Sequence, residues 1–359
     1  TNLIYSRRRG CYRTQVPTFT KKYLRTMVTT RIFSSVLLAS STAGVLSLSA
    51  NSVDRRTAIQ QAGVAALGTM TAGGLVIPNS QAAIDTINPI ATLADGSKFP
   101  LASFGLQIYD DNTAYKLTLT ALEVGYRNFF ASVLAGNQRG FAKAIRDSSV
   151  PREDIYICGS VVSNRVSGFD AAKKATTKGW EKNMEAFGVG GIDYLDQIML
   201  DYPGPDCDSI RGQWSAFEEM HAQKLTKSIS VSNFNSRQLD CVLETAKVKP
   251  VVNQLPYSAA YHPGDVITEN NKRDILVQAW APLGGSLGGR FDKDVKSACA
   301  KIGKAHGNKS FAQVALRWIV QSGGSFTTQS KNKDHFSEDL NIFDFELTEE
   351  EMKILNALA

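Results

Sequence analysis

Asp201 and Tyr202 stand side by side at the end of the apolar run Ile198-Met199-Leu200. A carboxylate there can take a proton or hold a polar ligand, and a phenol can give a proton to an oxygen on which charge is developing. Two further phenols, Tyr109 and Tyr257, also follow apolar runs, and Ser160 closes the run Ile155-Tyr156-Ile157-Cys158-Gly159. Each phenol could serve as a general acid, or could equally be bonded to solvent or packed against a loop. Asp201 beside Ser160 could work as a general base. Metal chemistry is not expected, because Cys158, Cys207, Cys241 and Cys299 show no CxxC spacing and no histidine cluster accompanies them. These cysteines are expected as thiols, although one disulfide would suit an oxidising compartment.

Such groups need a framework to hold them, and the chain has a repeating one. From about residue 88 a hairpin signal, Leu93-Ala94-Asp95-Gly96-Ser97, is followed by short apolar runs alternating with amphipathic helical stretches. The runs centre on Phe104, Phe129, Ile157, Met199, Ile229, Asn253, Val277 and Phe326. Between them the pattern predicts helices over 113–124, 136–147, 170–186, 209–223, 236–247 and 311–321. Eight such units predict an α/β protein, a closed (β/α)8 TIM barrel with an N-terminal β-hairpin, whose working residues stand at the carboxyl ends of the strands. An open doubly wound sheet is the competing arrangement. It would carry a glycine fingerprint after its first strand, and no GxGxxG follows Phe104.

With 359 residues, 43% hydrophobic and 21% charged, the chain has the composition of a soluble globular protein with a sizeable core. Its net charge of +6 is unevenly held. Residues 1–83 carry 10 of the 40 Lys+Arg and one of the 34 Asp+Glu, which leaves 30 bases against 33 acids, a net −3, on residues 84–359. That balance gives no electrostatic reason to expect nucleic acid or a membrane as partner.

The basic segment 1–83 is expected to be a removable leader in two parts. Met27, which suits a translation start, and Arg31 precede an apolar stretch from Ile32 to Ala50, like the opening and core of a secretory signal. Asp54-Arg55-Arg56-Thr57 then opens a Gly-, Ala- and Thr-rich stretch ending at Ala82-Ala83, like a twin-arginine signal with a small-residue cleavage site. A membrane anchor is the alternative for this stretch, which is long enough but too rich in Gly and Thr. Two signals in this order resemble the import route of thylakoid-lumen proteins in algae with secondary plastids. A bacterial exported, periplasmic protein would need only the second.

Gly125-Tyr126-Arg127, Gly136-Asn137-Gln138, Pro151-Arg152-Glu153-Asp154-Ile155, Val231-Ser232-Asn233-Phe234, Val252-Asn253-Gln254, Trp280-Ala281-Pro282-Leu283-Gly284, Ala312-Gln313-Val314-Ala315-Leu316-Arg317-Trp318 and Phe343-Asp344-Phe345-Glu346-Leu347 are similar, in order and spacing, to signatures of the aldo-keto reductases. The likeness spans nearly all of residues 90–359. It implies a monomeric, NADP-dependent oxidoreductase barrel with a small carbonyl-like ligand. In that family negative charge builds on the carbonyl oxygen as hydride reaches carbon; a Tyr donates the proton, a Lys and an Asp tune it, and a His orients the carbonyl. Carried onto this chain, the Asp position is Phe130, the Tyr position Ala135, the Lys position Ser160 and the His position Asp201. None can take over the role it stands in for, and the Asp201 carboxylate would repel an incipient alkoxide at a cost of several kcal/mol in a dry pocket. Tyr202 and Tyr109 are the candidates for a relocated acid.

The cofactor positions are better kept. By resemblance Ser232, Asn233 and Gln254 would hold the nicotinamide carboxamide and Trp280 would stack on its ring, with Leu283 and Gly284 beyond it and Ser330 and Glu338 toward the adenosine. Where the family carries Ile-Pro-Lys-Ser and then an Arg, this chain has Thr327-Thr328-Gln329-Ser330 and His335, with Lys331 and Lys333 nearby. Exchanging the Lys and Arg that grip a 2′-phosphate for Gln329 and His335 weakens NADPH more than NADH. The expectation is therefore a barrel that binds NADP or NAD but acts as a pseudoenzyme or sensor. The alternatives are an active oxidoreductase on small carbonyl compounds with a relocated acid, and a nucleotide-free lumenal binding or scaffold barrel.

Overall fold

The computed structural model describes residues 88–106, 109–285 and 289–358. The leader read over 1–83 lies outside the described residues. Ile90–Thr92 (β1) and Lys98–Pro100 (β2) pair antiparallel, Ile90 opposite Pro100. Between them Gly96 donates its amide to the Leu93 carbonyl and holds φ 86°, which a glycine reaches without a Cβ clash.

Eight parallel strands follow, one for each expected apolar run: Ala102–Gly105 (β3), Asn128–Ala131 (β4), Tyr156–Val161 (β5), Leu195–Asp201 (β6), Thr226–Ser232 (β7), Val252–Pro256 (β8), Leu276–Trp280 (β9) and Ser325–Thr328 (β10). They close into a barrel, because Phe326 of β10 pairs with Ala102 of β3 on one side and Ala279 of β9 on the other. Both strand faces are covered, so every residue of β5 and β6 is buried. Side chains alternate accordingly. Ile157 packs outward with Phe104, Phe129 and the helices, while its neighbours Tyr156 and Cys158 join Phe130, Met199 and Val252 inside the barrel.

The helices are Asp111–Val124 (α1), Gln138–Asp147 (α2), Phe169–Gly188 (α3), Cys207–Ala222 (α4), Ser236–Leu243 (α5), Val266–Asn271 (α6), Lys293–Ala305 (α7), Phe311–Gln321 (α8), Lys333–Leu340 (α9) and Glu349–Asn356 (α10). Five of the six expected helices shift at one or both ends, and two of these shifts have plain local reasons. The helix expected from residue 136 starts at Gln138, because Gly136 takes φ 65° and the Asn137 amide donates to the carbonyls of Leu106 and Tyr109. The helix expected to reach 247 stops at Leu243. The amides of Lys247 and Val248 turn instead to the Glu218 carboxylate.

The hairpin plugs the amino end of the barrel. Phe99 packs edge-on against Tyr156 with ring centroids 5.1 Å apart, and Ser228 donates to Asp95 at 2.7 Å. Above it the Tyr156 hydroxyl donates to Gln197 at 2.9 Å, and Gln197 passes a hydrogen bond on to Ser230. The carboxyl end is thereby the open one. The cysteine expectation needs correction: Cys207 and Cys241 are disulfide-bonded with Cα atoms 5.2 Å apart, tying α4 to α5, while Cys158 and Cys299 are buried thiols. Spacing in the chain could not reveal this pairing, because only the packing of α4 on α5 brings the two positions together.

Candidate functional site

A cleft of about 710 Å³ opens at the carboxyl ends of the strands. Asp201 is the last residue of β6, Ser232 of β7, Trp280 of β9 and Thr328 of β10, and all four line it together with Gln254 of β8. Three of these ends turn through left-handed backbone in residues other than glycine: Tyr202 at φ 67°, Asn233 at φ 65° and Ala281 at φ 51°. Asn tolerates that region, but Tyr and Ala do so at a cost of about 1–3 kcal/mol each. The abrupt turns end the strands at the cleft. Beyond Ala281, Gly284 at φ 87° turns the chain so tightly that a Cβ there would lie 2.8 Å from the Phe291 ring.

Asn233 is the hub of the inner end. Its amide donates to Asp201 Oδ1 at 3.2 Å and to Ser232 Oγ at 3.0 Å, and its Oδ1 accepts from the Trp280 indole at 3.2 Å. Gln254 donates to Gln278 at 2.8 Å, which fixes the orientation of its side chain. Asp201 is only 6% exposed, and among the described residues no Lys or Arg lines the cleft. Burial pushes its carboxyl up to about 6, against the opposing pull of hydrogen bonds from Ser232 and Asn233.

The outer end is built from β10, the loop after it and two helices. Ser330 Oγ lies 3.1 Å from His335 Nδ1 and accepts from the Asn332 amide. Asn332 in turn caps α9, which carries His335, Glu338 and Asp339 to the wall of the cleft. Burial pushes the Asp339 carboxyl up to about 7 despite a hydrogen bond from Thr328. The Thr327 hydroxyl is buried at the cleft without a partner. Opposite, Ser310 and Gln313 form a capping box at the start of α8, and Ser310, Phe311 and Ala312 line the cleft.

The family model for the Aldo/keto reductase family matches residues 101–359. The chain belongs to the aldo/keto reductase family. Relatives include a 9,11-endoperoxide prostaglandin H2 reductase of Trypanosoma cruzi, 30% identical over 74% of this chain and 90% of that protein, and a glyoxal reductase of Bacillus subtilis, 31% identical over 74% and 91%. Among solved structures, an aldo/keto reductase from Brucella melitensis superposes with a TM-score of 0.68 at 27% identity, covering 76% of this chain and all of that one. The fold is that of the family, whose members in general use a nicotinamide dinucleotide.

Within this aldo/keto reductase barrel the residues singled out in the sequence separate cleanly. Ser232, Asn233, Gln254, Trp280, Leu283, Gly284, Ser330 and Glu338 all line the one cleft. Phe130 lines its floor at 3% exposure. Ala135 sits in a turn, donating to the Ser132 carbonyl, and it is Leu134, 62% exposed, that reaches the cleft from this loop. Ser160 does not work with Asp201: it is fully buried, and its hydroxyl accepts from the Val133 amide at 3.2 Å and lies 3.4 Å from Ser132 Oγ.

The phenols also divide. Tyr202 is half-buried and lines the cleft, its pKa raised by burial and then by the Asp201 charge. Tyr109 and Tyr257 lie in the outer core at 4% and 6% exposure, away from the cleft lining, and burial pushes both up to about 12. Tyr109 is thus removed as a candidate acid. Sequence reading missed Asp339, although Phe336, Asp339 and Leu340 recur at the spacing of a buried helix face. It placed the start of α8 correctly but did not single out Ser310, Phe311 and Ala312 as part of the cleft wall.

Proposed function

We propose that the cleft binds a nicotinamide dinucleotide lacking a 2′-phosphate, and that the protein serves as a nucleotide-binding pseudoenzyme or sensor rather than an ordinary carbonyl reductase. The observation that carries this reading is the convergence of the eight cofactor-type residues on a single cleft without a Lys or Arg in its lining. The donor set fits the group. Ser232, Asn233 and Gln254 offer hydroxyl and amide partners for a carboxamide, Trp280 a ring face, and Thr327 a buried hydroxyl that has no protein partner. The amino end of α8 suits a pyrophosphate, since helix amides attract anions. The positions where the family grips a 2′-phosphate hold the neutral Gln329 and the His335 imidazole, while the nearby Lys333 is paired with Glu123 at 2.8 Å and Lys331 lies over the Tyr109 ring, so the phosphorylated dinucleotide would lose its charge-assisted bonds. A nicotinamide ring bound there would supply hydride-transfer chemistry. Phe130 and Ala135 have no proton to supply to a carbonyl oxygen, and Asp201 would place negative charge beside it. Titrating the purified protein with NADH and NADPH while following tryptophan fluorescence, with Trp280→Phe as control, tests the reading. Quenching by NADH at lower concentration than by NADPH is expected; no response to either overturns it.

One observation favours a second reading. Tyr202 lines the cleft next to Asp201, so a relocated proton donor is within the same site. It would make Tyr202→Phe cut turnover of small carbonyl compounds by about 10²–10⁴. Undiminished turnover rejects it.

We further infer that residues 1–83 are a leader removed on delivery to the thylakoid lumen, with export to a periplasm as the alternative, and that residues 84–359 work as a monomer. The Cys207–Cys241 disulfide supports an oxidising compartment. Sequencing the amino terminus of the mature protein tests the first point, and sedimentation the second.

A further inference from the structure

We infer that the inner end of the cleft selects the oxidised, positively charged nicotinamide ring over the reduced, neutral one, with Asp201 as the selecting residue. This rests on the dinucleotide reading above and goes beyond it by naming the redox form.

Asp201 is a buried carboxylate whose hydrogen-bond partners, Asn233 Nδ2 at 3.2 Å and the Ser232 hydroxyl, are both neutral. Among the described residues no Lys or Arg lines the cleft to compensate it. A ring laid on Trp280 is joined to that carboxylate through one side chain, because Asn233 takes the indole proton at 3.2 Å and donates to Asp201. The oxidised ring is a pyridinium with a diffuse positive charge, which the carboxylate attracts directly and the face of Trp280 attracts through its quadrupole. The reduced ring is neutral and gains neither. Ser330, His335, Glu338 and Asp339 stand at the other end of the cleft and meet the same adenosine in both forms. Their direct contacts with the adenosine would be common to both forms, and Asp339→Asn serves as the control for the protonation of Asp339 over the same pH range.

The groups around Asp201 leave it as the residue that responds. Cys158 on β5 is a buried thiol whose pKa burial drives well up, and the Tyr202 phenol is raised in the same direction, so both stay neutral near pH 7. Ser232, Asn233, Gln254 and Trp280, on β7, β8 and β9 and the loop after β7, do not ionise in that range.

The experiment measures dissociation constants of the full protein for NAD+ and NADH by calorimetry, in wild type and in Asp201→Asn. In wild type near pH 8 the oxidised form is expected to bind on the order of 10- to 100-fold tighter than the reduced form. Each tenfold lowers the reduction potential of the bound couple by about 30 mV. In Asp201→Asn the ratio of the two constants is expected to fall to within about threefold. A second measurement needs no variant: in wild type the ratio should shrink as the pH is lowered to about 5, where Asp201 takes up its proton. Equal affinity for the two forms, tighter binding of NADH, or a ratio untouched by both the substitution and the pH change overturns the inference while leaving the dinucleotide reading intact. Failure of both nucleotides to bind overturns the two together.

Discussion

Strand β6 carries two buried aspartates five residues apart, and the barrel treats them oppositely. Asp196, near the amino end, meets Arg152 and Lys227 at 2.8 Å each and accepts the Ile157 amide at 3.0 Å. Both cations also lie over the face of Tyr194, at 4.1 and 4.7 Å from its centroid. Asp201, at the carboxyl end, has only the neutral Asn233 and Ser232. The plugged end compensates its charge with fixed partners, whereas the open end leaves a carboxylate that a ligand can still compensate. This is how a (β/α)8 barrel divides stability from function between its two ends.

The contrast can be broken at several points, the largest effect first. Phe99→Ala removes a ring that is 1% exposed in the plug and should cost about 4 kcal/mol in denaturant unfolding. Trp280→Ala, at the half-buried mouth, should cost less than about 1 kcal/mol yet abolish nucleotide-dependent quenching. Similar losses of stability from both would erase the distinction between the ends.

Next, Asp196→Asn strips two cations of their shared partner and should lower stability by about 3 kcal/mol. Asp201→Asn strips no cation and should cost nothing near pH 8. Equal penalties for the two variants would contradict the proposed difference.

The pH dependence carries the third test. Asp201 and Asp339 have folded pKa values of about 6 and about 7, raised above the ordinary 3.8, so the folded chain keeps protons that the unfolded chain releases. Their contribution to stability is therefore lost as pH rises from about 4 through 6 for Asp201 and through 7 for Asp339. Near pH 8 Asp201→Asn and Asp339→Asn should each be more stable than wild type by about 1–3 kcal/mol, with the advantage gone near pH 4, as read from thermal unfolding across that range. The smallest effect is at Ala281, whose φ of 51° strains the end of β9. Ala281→Gly should relieve it by about 0.5 kcal/mol in the same unfolding assay, a net of strain removed and chain entropy added.

Much of the fold was legible because each barrel strand is buried on both faces and so reads as a short apolar run. Phe104, Phe129, Ile157 and Met199 could be assigned one by one. The helices 266–271, 293–305, 333–340 and 349–356 were not singled out, since short or highly charged segments such as 349–356 show little periodicity until their caps are known. Thr348 and Glu351 form such a capping box there. At the site, ordered motifs picked out eight residues that the structure brings to one cleft, but the burial of Tyr109 away from it was not legible. That burial is tertiary: Tyr109 joins the outer core, its carbonyl accepts from Asn137 at the start of α2, and the Lys331 ammonium lies 5.9 Å from its ring centroid.

Local order in the chain determined the barrel, its hairpin, its family and the chemical types of the residues at the strand ends, because strand period, helix period and motif spacing are all properties of neighbours in sequence. Only the closed barrel decided that Asn233 would join Asp201 to Trp280, that Ser160 would brace the 132–133 loop instead of serving Asp201, and that Cys207 would meet Cys241. Those pairings cross from 27 to 47 residues of chain. The charge left on Asp201 is likewise a tertiary fact, since it depends on which cations the fold brings within reach, and among the described residues no Lys or Arg lines the cleft at this end of β6.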